Sequence, residues 1–527
     1  MLKFLRALKM FGLMFGAGFA AYILFSLFGH PQAGAGIFVA AFLLAGVLVW
    51  TEFFAAPAPA VRSGIRDVSE DAAYLRTLAQ GFDPEQFIDL RKGIFIGLDG
   101  NRKPIYLPLQ TLDKNHLEIL GESGVGKSSL AGVLLSQLAA SGEAVIVFDP
   151  KPDEKLPGVL ARQGEKHDFP VVVIDLRHTA SFPQINPFHG CRPDQVEELL
   201  QVALELGKTG DAGVDFYRGG DREATSWIAE AVAADPSRSL PDIIKAASDD
   251  EAITEKENLW RELRQLGRIK AFSTREQGID LAALLEQPGG VVLYVMGSTT
   301  KLEIGSAQKL LLQRVLQVLE DRSDKSKPVA LFLDELKYLL SPAALRAAGT
   351  IRDRNSHLVF AHQSLGDLDD CPGLSPKAVR GAIWGNSGIK FAYKMLDSAT
   401  ALELSRLAGA SRADVQTMSN TANDNGGSTN TSWTQAAREF MPPHIFSHLP
   451  KPAGGEASVG VVFGLGTAFY LSTRWLQTGE TPAPLRVEEP ADQADAAPIS
   501  HAAESGQEAP EAQAEAARAD SLEDLLK

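Results

Sequence analysis

The chain has 527 residues, which is enough for two or three domains with separate hydrophobic cores. Its net charge of −15 excludes a uniformly basic nucleic-acid-binding protein. Its two cysteines provide neither a disulfide framework nor a zinc-binding set, which fits a reducing compartment.

Two apolar segments without charged residues lie near the N-terminus, at residues 11–29 and 34–50. The 19 residues of the first would reach roughly 28 Å as a helix, close to the thickness of a bilayer core, and the second is at the short end of the spanning range. Basic residues precede the first segment and none lies between the two, so the sequence predicts two transmembrane helices with both termini in the cytoplasm. A cleaved signal peptide is the alternative for the first segment, and its length and the second segment count against it.

From Gly93 the pattern changes to short strands, with Asp99-Gly100 as a hairpin turn between two apolar runs. Apolar runs that end in a polar residue then recur as "AVIVFDP", "VVVIDL", "VVLYVMG", "VALFLDE" and "LVFAHQS". Such strands alternating with helical patterns predict an α/β fold whose parallel sheet is buried on both faces. Ligands bind beyond the carboxyl ends of the strands in sheets of this kind.

Other segments differ from this pattern. Residues 193–287 read as helices throughout and predict an all-α domain inserted into the sheet domain, whereas 421–432 is a polar Gly/Asn loop without an assigned structure. Residues 486–527 contain 11 acidic and 3 basic residues, which predicts a disordered acidic tail. The predicted boundaries are a membrane anchor at 1–52, a connector at 53–92, the nucleotide-binding domain at 93–192 and 288–480, the insert at 193–287 and the tail at 481–527.

The segment "GESGVGKSS" matches the phosphate-loop pattern of nucleotide-binding proteins and lies between an apolar run and a helical one. Its glycines let backbone N–H groups converge on phosphates, Lys127 would reach the β- and γ-phosphates, and the Ser128 hydroxyl would bind Mg²⁺. The candidate nucleotide-binding residues are Gly121, Glu122, Ser123, Gly124, Val125, Gly126, Lys127, Ser128 and Ser129.

The run "VALFLDE" ends in two carboxylates, Asp334 and Glu335. The first is positioned for the Mg²⁺ shell, and the second can polarise the attacking water, which is typical of an enzyme that hydrolyses its nucleotide. No N-K-x-D motif for reading guanine is present, so the expected cofactors are ATP and Mg²⁺.

Three further side chains are candidates at or near the nucleotide. Gln363 ends the run "LVFAHQS" and could sense the γ-phosphate or simply cap the strand. Arg352 and Arg354 precede that run, and an arginine there can reach the nucleotide of a neighbouring subunit. Asp149 in "VFDPKPD" lies near the same edge, or it only shapes the turn at Pro150.

In this order, the motifs resemble the type IV coupling proteins, the TraG- and TraD-like ATPases of bacterial conjugation and type IV secretion. The resemblance extends from the N-terminal hairpin to about Leu476 and includes "VFDPKPD", "INPF", "LFLDEL" and "RDRNSHLVFAHQS". It implies a RecA-like P-loop NTPase that forms a homohexamer at the inner membrane. By position it implies that Lys127 and Ser128 hold phosphate and Mg²⁺, that Asp334 and Glu335 form the second nucleotide motif and that Gln363 is the sensor. It also implies that Arg352, or else Arg354, acts in trans.

The resemblance also implies partners. These are a relaxase-bound DNA strand with its accessory relaxosome proteins, or protein substrates, and the inner-membrane components of the secretion channel. The acidic tail is a candidate docking segment. The alternatives are a receptor for exported proteins that does not use DNA and a double-stranded DNA translocase of the FtsK/HerA kind.

Overall fold

The computed structural model of the chain describes residues 16–17, 19–30, 32–33, 35–43, 68–112, 115–177, 182–207, 212–235, 238–274, 278–423 and 426–486. The chain divides into two compact units. One contains Met1–Glu70 and Ala410–Arg438, and the other contains Asp71–Gly409 and Glu439–Lys527.

The strands share one chain-order numbering. They are β1 (Ile94–Asp99), β2 (Pro104–Leu107), β3 (His116–Leu120), β4 (Ala144–Asp149), β5 (Val171–Asp175), β6 (Val291–Met296), β7 (Val329–Leu333), β8 (Ser356–His362), β9 (Ser387–Ala392), β10 (Ala410–Asn423), β11 (Gly426–Glu439), β12 (Ser458–Phe463) and β13 (Phe469–Thr473).

The α-helices are numbered in the same way. They are α1 (Val68–Leu78), α2 (Leu109–Leu112), α3 (Lys127–Ala140), α4 (Leu156–His167), α5 (Pro193–Ala203), α6 (Ala212–Ala234), α7 (Leu240–Ala247), α8 (Glu251–Thr254), α9 (Glu257–Leu266), α10 (Leu281–Glu286), α11 (Leu302–Asp321), α12 (Pro342–Thr350), α13 (Leu365–Asp369), α14 (Pro376–Ala382), α15 (Ser398–Ala408) and α16 (Pro443–His448). Short 3₁₀ helices lie at Pro84–Gln86, Lys270–Phe272, Leu336–Tyr338 and Ile351–Arg354.

Within the described residues, the second unit contains one eleven-stranded sheet in the order β2-β1-β13-β12-β9-β3-β8-β7-β4-β6-β5. Strands β9, β3, β8, β7, β4, β6 and β5 pair in parallel, as the α/β prediction requires. The other four strands pair antiparallel at one side, and β1 and β2 form the hairpin predicted around Asp99. The parallel pairing places the carboxyl ends of β3, β4, β7 and β8 at one edge of the sheet.

The parallel strands are buried on both faces because their side chains alternate between two cores. Ile146 and Phe148 pack with the helices of the segment between β5 and β6, while Val145 and Val147 pack with α3 and α4. A strand with both faces buried takes apolar residues at most positions, which explains the near-continuous apolar runs. The five predicted strands are confirmed on this basis.

The described elements between β5 and β6 are helices α5 to α10 and the short helix Lys270–Phe272. Their buried faces join the large core through residues such as Leu199, Ile228 and Leu263. The helix α7 begins with a reciprocal cap in which Ser239 and Asp242 bond each other's backbone N–H groups. The amphipathic spacing in this segment therefore covers one face of the sheet.

In the first unit, residues 19–27 and 35–43 are helical, and the Phe19 and Phe38 rings meet edge to face at 6.3 Å. Only part of each predicted membrane span lies in the described residues, and 53–67 of the predicted connector lies outside them. None of the helices in the described part of the chain has the length and apolar character needed to cross a membrane.

The described residues of the polar segment 421–432, for which the sequence predicted no structure, lie in strands β10 and β11. Strands β10 and β11 pair with each other in a separate two-stranded sheet, joined across residues 424–425. Backbone hydrogen bonds make this pairing, so the apolar alternation that marks a half-buried strand in a sequence is not required.

The chain after β13 continues along the second unit. The Leu485 N–H donates to the Val173 carbonyl of β5, and the Gln184 side chain donates to the Leu485 carbonyl at 2.9 Å. Leu485, which lies in the predicted disordered tail, is thus held at the sheet by one backbone hydrogen bond and one bond from a side chain. Residues 487–527 of the predicted tail lie outside the described residues.

Candidate functional site

The loop between β3 and α3 has the conformation that a phosphate loop requires. Gly121, Gly124 and Gly126 have φ values of 146°, 75° and 112°, where residues with a Cβ are disfavoured. A Cβ on Gly126 would also meet the Ser458 Oγ at 1.9 Å. Because α3 begins at Lys127, its unpaired N-terminal N–H groups lie next to the loop, where they favour an anion.

The Lys127 side chain is held at this loop. It is 8% exposed, and its ammonium donates to the Gly121 carbonyl at 2.7 Å and to the Glu122 carbonyl at 3.1 Å. Burial lowers the pKa of Lys127, while the carboxylates of Asp334, Glu335 and Asp367 act in the opposite direction. The loop thus presents a preorganised cation beside the predicted second motif.

Asp334 and Glu335 follow the end of β7, as the motif predicts. The Asp334 N–H donates to the Phe148 carbonyl of β4 at 3.0 Å, which extends the sheet pairing to the carboxylate. Glu335 has φ 42° and ψ 53°, a left-handed conformation that costs about 1–3 kcal/mol for a residue other than glycine. Such strain concentrates at functional sites, and here it turns the chain directly behind the two carboxylates.

Asp334 shares this edge with a second acid, Asp149. Although the Asp334 side chain retains some exposed area, burial and then the Asp149 carboxylate raise its pKa to about 7, and Lys127 opposes them. Burial also raises the pKa of Asp149, whose carboxylate accepts from the Tyr294 hydroxyl and from the N–H groups of Lys151 at 3.0 Å and Asp153 at 2.8 Å. The turn role considered for Asp149 is confirmed by these bonds.

Gln363 lies opposite Glu335. Its side-chain amide is 3.5 and 3.4 Å from the two carboxylate oxygens of Glu335, and its backbone N–H donates to the Asp367 carboxylate at 2.8 Å. The side chain therefore contacts the candidate base, while the backbone is capped as in the alternative interpretation.

Arg352 and Arg354 lie at the opposite edge of the sheet. They precede β8, which is parallel to β3 and has seven residues, or roughly 20 Å of strand. The Arg354 guanidinium donates to the Glu320 carbonyl at 3.0 Å and lies 3.7 Å from the Glu320 carboxylate. Neither arginine is among the described residues that line the open cleft around Lys127 in the same chain.

An open cleft of about 1150 Å³ contains most of the candidate residues. Its lining includes the phosphate loop from Ser123, with Lys127, Ser128 and Ser129, and also Asp334 and Glu335. It continues past the loop to Arg474, Trp475 and Gln477, which sequence reasoning missed because nothing in "STRWLQ" indicates a ligand.

A buried charged cluster behind the site was also missed. The Glu118 carboxylate of β3 lies 2.8 Å from His362 Nε2 of β8 and 2.8 Å from Lys390 Nζ of β9. The His362 carbonyl in turn accepts the Gly121 N–H at 3.3 Å. A single polar residue inside each apolar run is the signal that could have revealed this cluster.

The groups that line the cleft fit a nucleoside triphosphate with Mg²⁺. The loop N–H groups and Lys127 suit phosphate oxygens, and the Ser128 hydroxyl with Asp334 supplies the hard oxygen ligands that Mg²⁺ takes. Burial is the main cause of the raised pKa values of Asp149 and Asp334, and a divalent cation bound beside them would favour their ionised forms. Bound there, the cation would neutralise charge on the phosphates.

Two family models match parts of the chain. Residues 328–451 match the TraM recognition site of TraD and TraG, and residues 94–153 match the central domain of the helicase HerA. The first covers β7 with Asp334 and Glu335, and the second covers the phosphate loop.

Individual proteins match as well. Mobilization protein A of Escherichia coli is 27% identical over 307 residues, which are 57% of this chain and 56% of the relative, so the match spans little more than half of either protein. The unbound bacterial conjugative coupling protein TrwB has a TM-score of 0.55 at 15% identity, over 79% of this chain and 95% of that one. TrwB in complex with ADP and Mg²⁺ has a TM-score of 0.53 at 14% identity, over 78% and 96% of the two chains.

The structural matches confirm a mixed α/β fold of the P-loop NTPase kind, and the sequence matches fall on the motifs that carried the prediction. Together, the three comparisons confirm that this chain resembles the type IV coupling protein family.

Proposed function

We propose that this protein is an ATPase that couples ATP hydrolysis to the recruitment and transfer of a relaxase-bound DNA strand, with or without protein substrates, into a type IV secretion channel. The observation that carries the proposal is the meeting of Lys127, Asp334 and Glu335 in one cleft at the carboxyl edge of a coupling-protein fold. In this proposal Lys127, Ser128 and the loop N–H groups hold the phosphates.

Hydrolysis is proposed from the position of Glu335. Its carboxylate lines the cleft next to Asp334 and contacts the Gln363 amide, so it can accept a proton from water near the γ-phosphate. Gln363 would then register the loss of that phosphate through the same contact. The solved TrwB complexes with ADP and Mg²⁺ and with a non-hydrolysable ATP analogue support these cofactors by analogy of fold.

The setting is part of the proposal. A two-helix anchor at 1–52 would hold the protein at the bacterial inner membrane with both termini in the cytoplasm, which the charge distribution of the sequence supports. A ring of subunits, a hexamer by the family resemblance, would bring Arg352 or Arg354 of one subunit to the nucleotide of the next. The match to the TraM recognition site supports relaxosome partners, and the acidic tail is the proposed docking segment for one of them.

Two other functions have specific support. The match to the HerA central domain favours a double-stranded DNA translocase as the second candidate. The net charge of −15 favours export of protein effectors without DNA.

Turnover of ATP by the purified full-length protein, without DNA and with single- or double-stranded DNA, distinguishes these functions. We expect stimulation by single-stranded DNA and a loss of roughly 100-fold or more in the Lys127→Ala variant, because that change removes the cation at the transferred phosphate. Stimulation by duplex DNA alone would favour the translocase, and turnover indifferent to DNA would favour protein export. Equal turnover by the wild type and Lys127→Ala would contradict an ATPase at this site.

A further inference from the structure

The nucleotide cleft extends well beyond the phosphate loop. Its lining includes the segment Arg474–Gln477, called here the cleft strap, which follows β13. The volume of about 1150 Å³ is much larger than a phosphate group needs and leaves room for the nucleoside part of a ligand.

Hydrogen bonds hold the cleft strap at both ends. The Arg474 guanidinium donates to the Phe82 carbonyl at 2.7 Å. At the other end, the side-chain oxygen Oε1 of Gln477 accepts from Arg162 of α4 at 2.7 Å, and the Gly479 N–H donates to the Gly158 carbonyl at 2.9 Å. These bonds fix the position of the residue between them, Trp475.

The Trp475 indole packs against buried apolar side chains. It packs against the cores that contain Val133 and Val159, and a Cβ on Gly132 of α3 would lie 3.4 Å from its ring. The side chain is half-buried and lines the cleft, so the ring is supported from behind and also reaches the ligand space. A ring held in this way keeps its geometry without losing conformational entropy when a ligand binds.

Trp475 lies at the right distance along α3. Gly132 is five residues after Lys127, which is roughly 7.5 Å along the helix axis. With its phosphates at Lys127, a nucleotide would extend its ribose and base along this direction of the cleft. Arg474, which also lines the cleft, adds a positive charge at the strap.

We propose that the cleft strap is the base-binding subsite of the nucleotide cleft, with the Trp475 indole as the stacking platform for an aromatic base. The inference rests on the proposed function, since it names the part of a nucleoside triphosphate that this end of the cleft takes. Stacking on an indole tolerates any base, because every base has a π face. The side-chain oxygen of Gln477 accepts from Arg162, and the side-chain N–H groups of Gln477 can donate to a base edge.

Calorimetry with the full-length protein tests the subsite by comparing Mg·ATP with inorganic tripolyphosphate, which lacks a base. We expect Trp475→Leu to weaken ATP binding by roughly tenfold, because the variant loses the aromatic face on which the base stacks. Tripolyphosphate binding should stay within about twofold of wild type, and Trp475→Phe, which keeps an aromatic face, should retain most of the ATP affinity.

The indole also provides a fluorescence readout in the wild type. ATP, but not tripolyphosphate, should quench the emission, and the change should disappear in Trp475→Phe. The matched control is Trp260→Phe in α9, where the ring stacks with Arg264 away from the cleft, and it should keep the quenching.

The outcomes separate the two proposals. If the wild type binds ATP and Lys127→Ala does not, but both Trp475 variants keep the wild-type ratio of ATP to tripolyphosphate affinity, the base subsite is wrong and the ATPase remains. Equal losses for both ligands in Trp475→Phe would also contradict stacking. If the wild type does not bind ATP, or binds it no better than Lys127→Ala does, the proposed function itself is wrong.

Discussion

His116, at the start of β3, illustrates how a single residue is constrained by its surroundings. Its Nδ1 accepts the Leu358 N–H at 3.1 Å, and its Nε2 lies 3.0 Å from the Ala348 carbonyl, an arrangement satisfied by the neutral ring with its proton on Nε2. Burial lowers the pKa of His116 to about 4 despite the Ala348 bond, and the charge of Arg352 lowers it further. A second proton would have to face the Leu358 N–H.

The lowered pKa predicts a loss of stability in acid. The unfolded ring titrates near pH 6.5, so the stabilisation by neutral His116 is complete above that pH and is lost as the pH falls towards 4. Between pH 7.5 and 4.5, we expect the free energy of unfolding to fall by about 2 kcal/mol more in the wild type than in His116→Asn, as measured by denaturant titration. The exposed His448→Asn control should keep the pH dependence of the wild-type free energy of unfolding. If this free energy fell equally with pH in His116→Asn and the wild type, the lowered pKa of His116 would be contradicted.

At the scale of an element, the phosphate loop is constrained by both backbone conformation and packing. Gly126 has φ 112° and leaves no room for a Cβ beside Ser458, because β12 passes directly behind the loop. Gly142, at the other end of α3, has a similar φ of 101° but nothing within 4 Å of a Cβ. The two glycines therefore separate the backbone effect from the steric one.

Substitution of these glycines should have different results. We expect Gly126→Ala to weaken ATP binding at least tenfold, because the strain and the clash move the loop, and the added change Ser458→Gly to recover only the steric part. Gly142→Ala should lower the free energy of unfolding by about 1 kcal/mol and leave ATP affinity unchanged. Calorimetry and thermal unfolding check both, and unchanged ATP binding in Gly126→Ala would contradict the assigned role of the loop.

At the scale of the whole molecule, the sheet separates the nucleotide residues from the candidate arginines. The phosphate loop, Asp334 and Glu335 lie at the carboxyl edge of the parallel strands, whereas Arg352 and Arg354 precede β8 at the amino edge. An arginine at that edge can complete a nucleotide site only in another subunit. Arg354 contacts Glu320 at that edge, and either arginine is a candidate for this role.

Mixing of inactive variants tests this arrangement. Equal amounts of Lys127→Ala and Arg352→Ala protein should regain activity at roughly one quarter of the sites, since a Lys127-intact subunit can then meet an Arg352-intact neighbour. ATP turnover after co-assembly measures the recovery. A mixture of Lys127→Ala and Glu335→Ala is the control and should stay inactive, because each site then has a defect in its own chain.

The result with Arg354 completes the test. Recovery in the mixture with Arg354→Ala, but not with Arg352→Ala, would assign the trans role to Arg354. Failure of both mixtures to recover would contradict a site shared between subunits.

The sequence by itself determined the features that depend on local pattern. Near-continuous apolar runs predicted β4 to β8 because a strand buried on both faces takes mostly apolar residues, and the loop "GESGVGKSS" predicted a phosphate site because its glycines are required by backbone conformation. The carboxylates of Asp334 and Glu335 were placed at a strand end for the same local reason.

The tertiary structure alone decided which distant residues meet. The burial of Glu118 with His362 and Lys390, the pairing of β10 with β11, and the return of the chain past β13 to place Trp475 on α3 all join residues that are far apart in sequence or lack an apolar signal. A sequence pattern records how each segment buries its own faces, whereas the neighbours of a side chain depend on strand order. That order placed the nucleotide groups at one edge of the sheet and the arginines at the other.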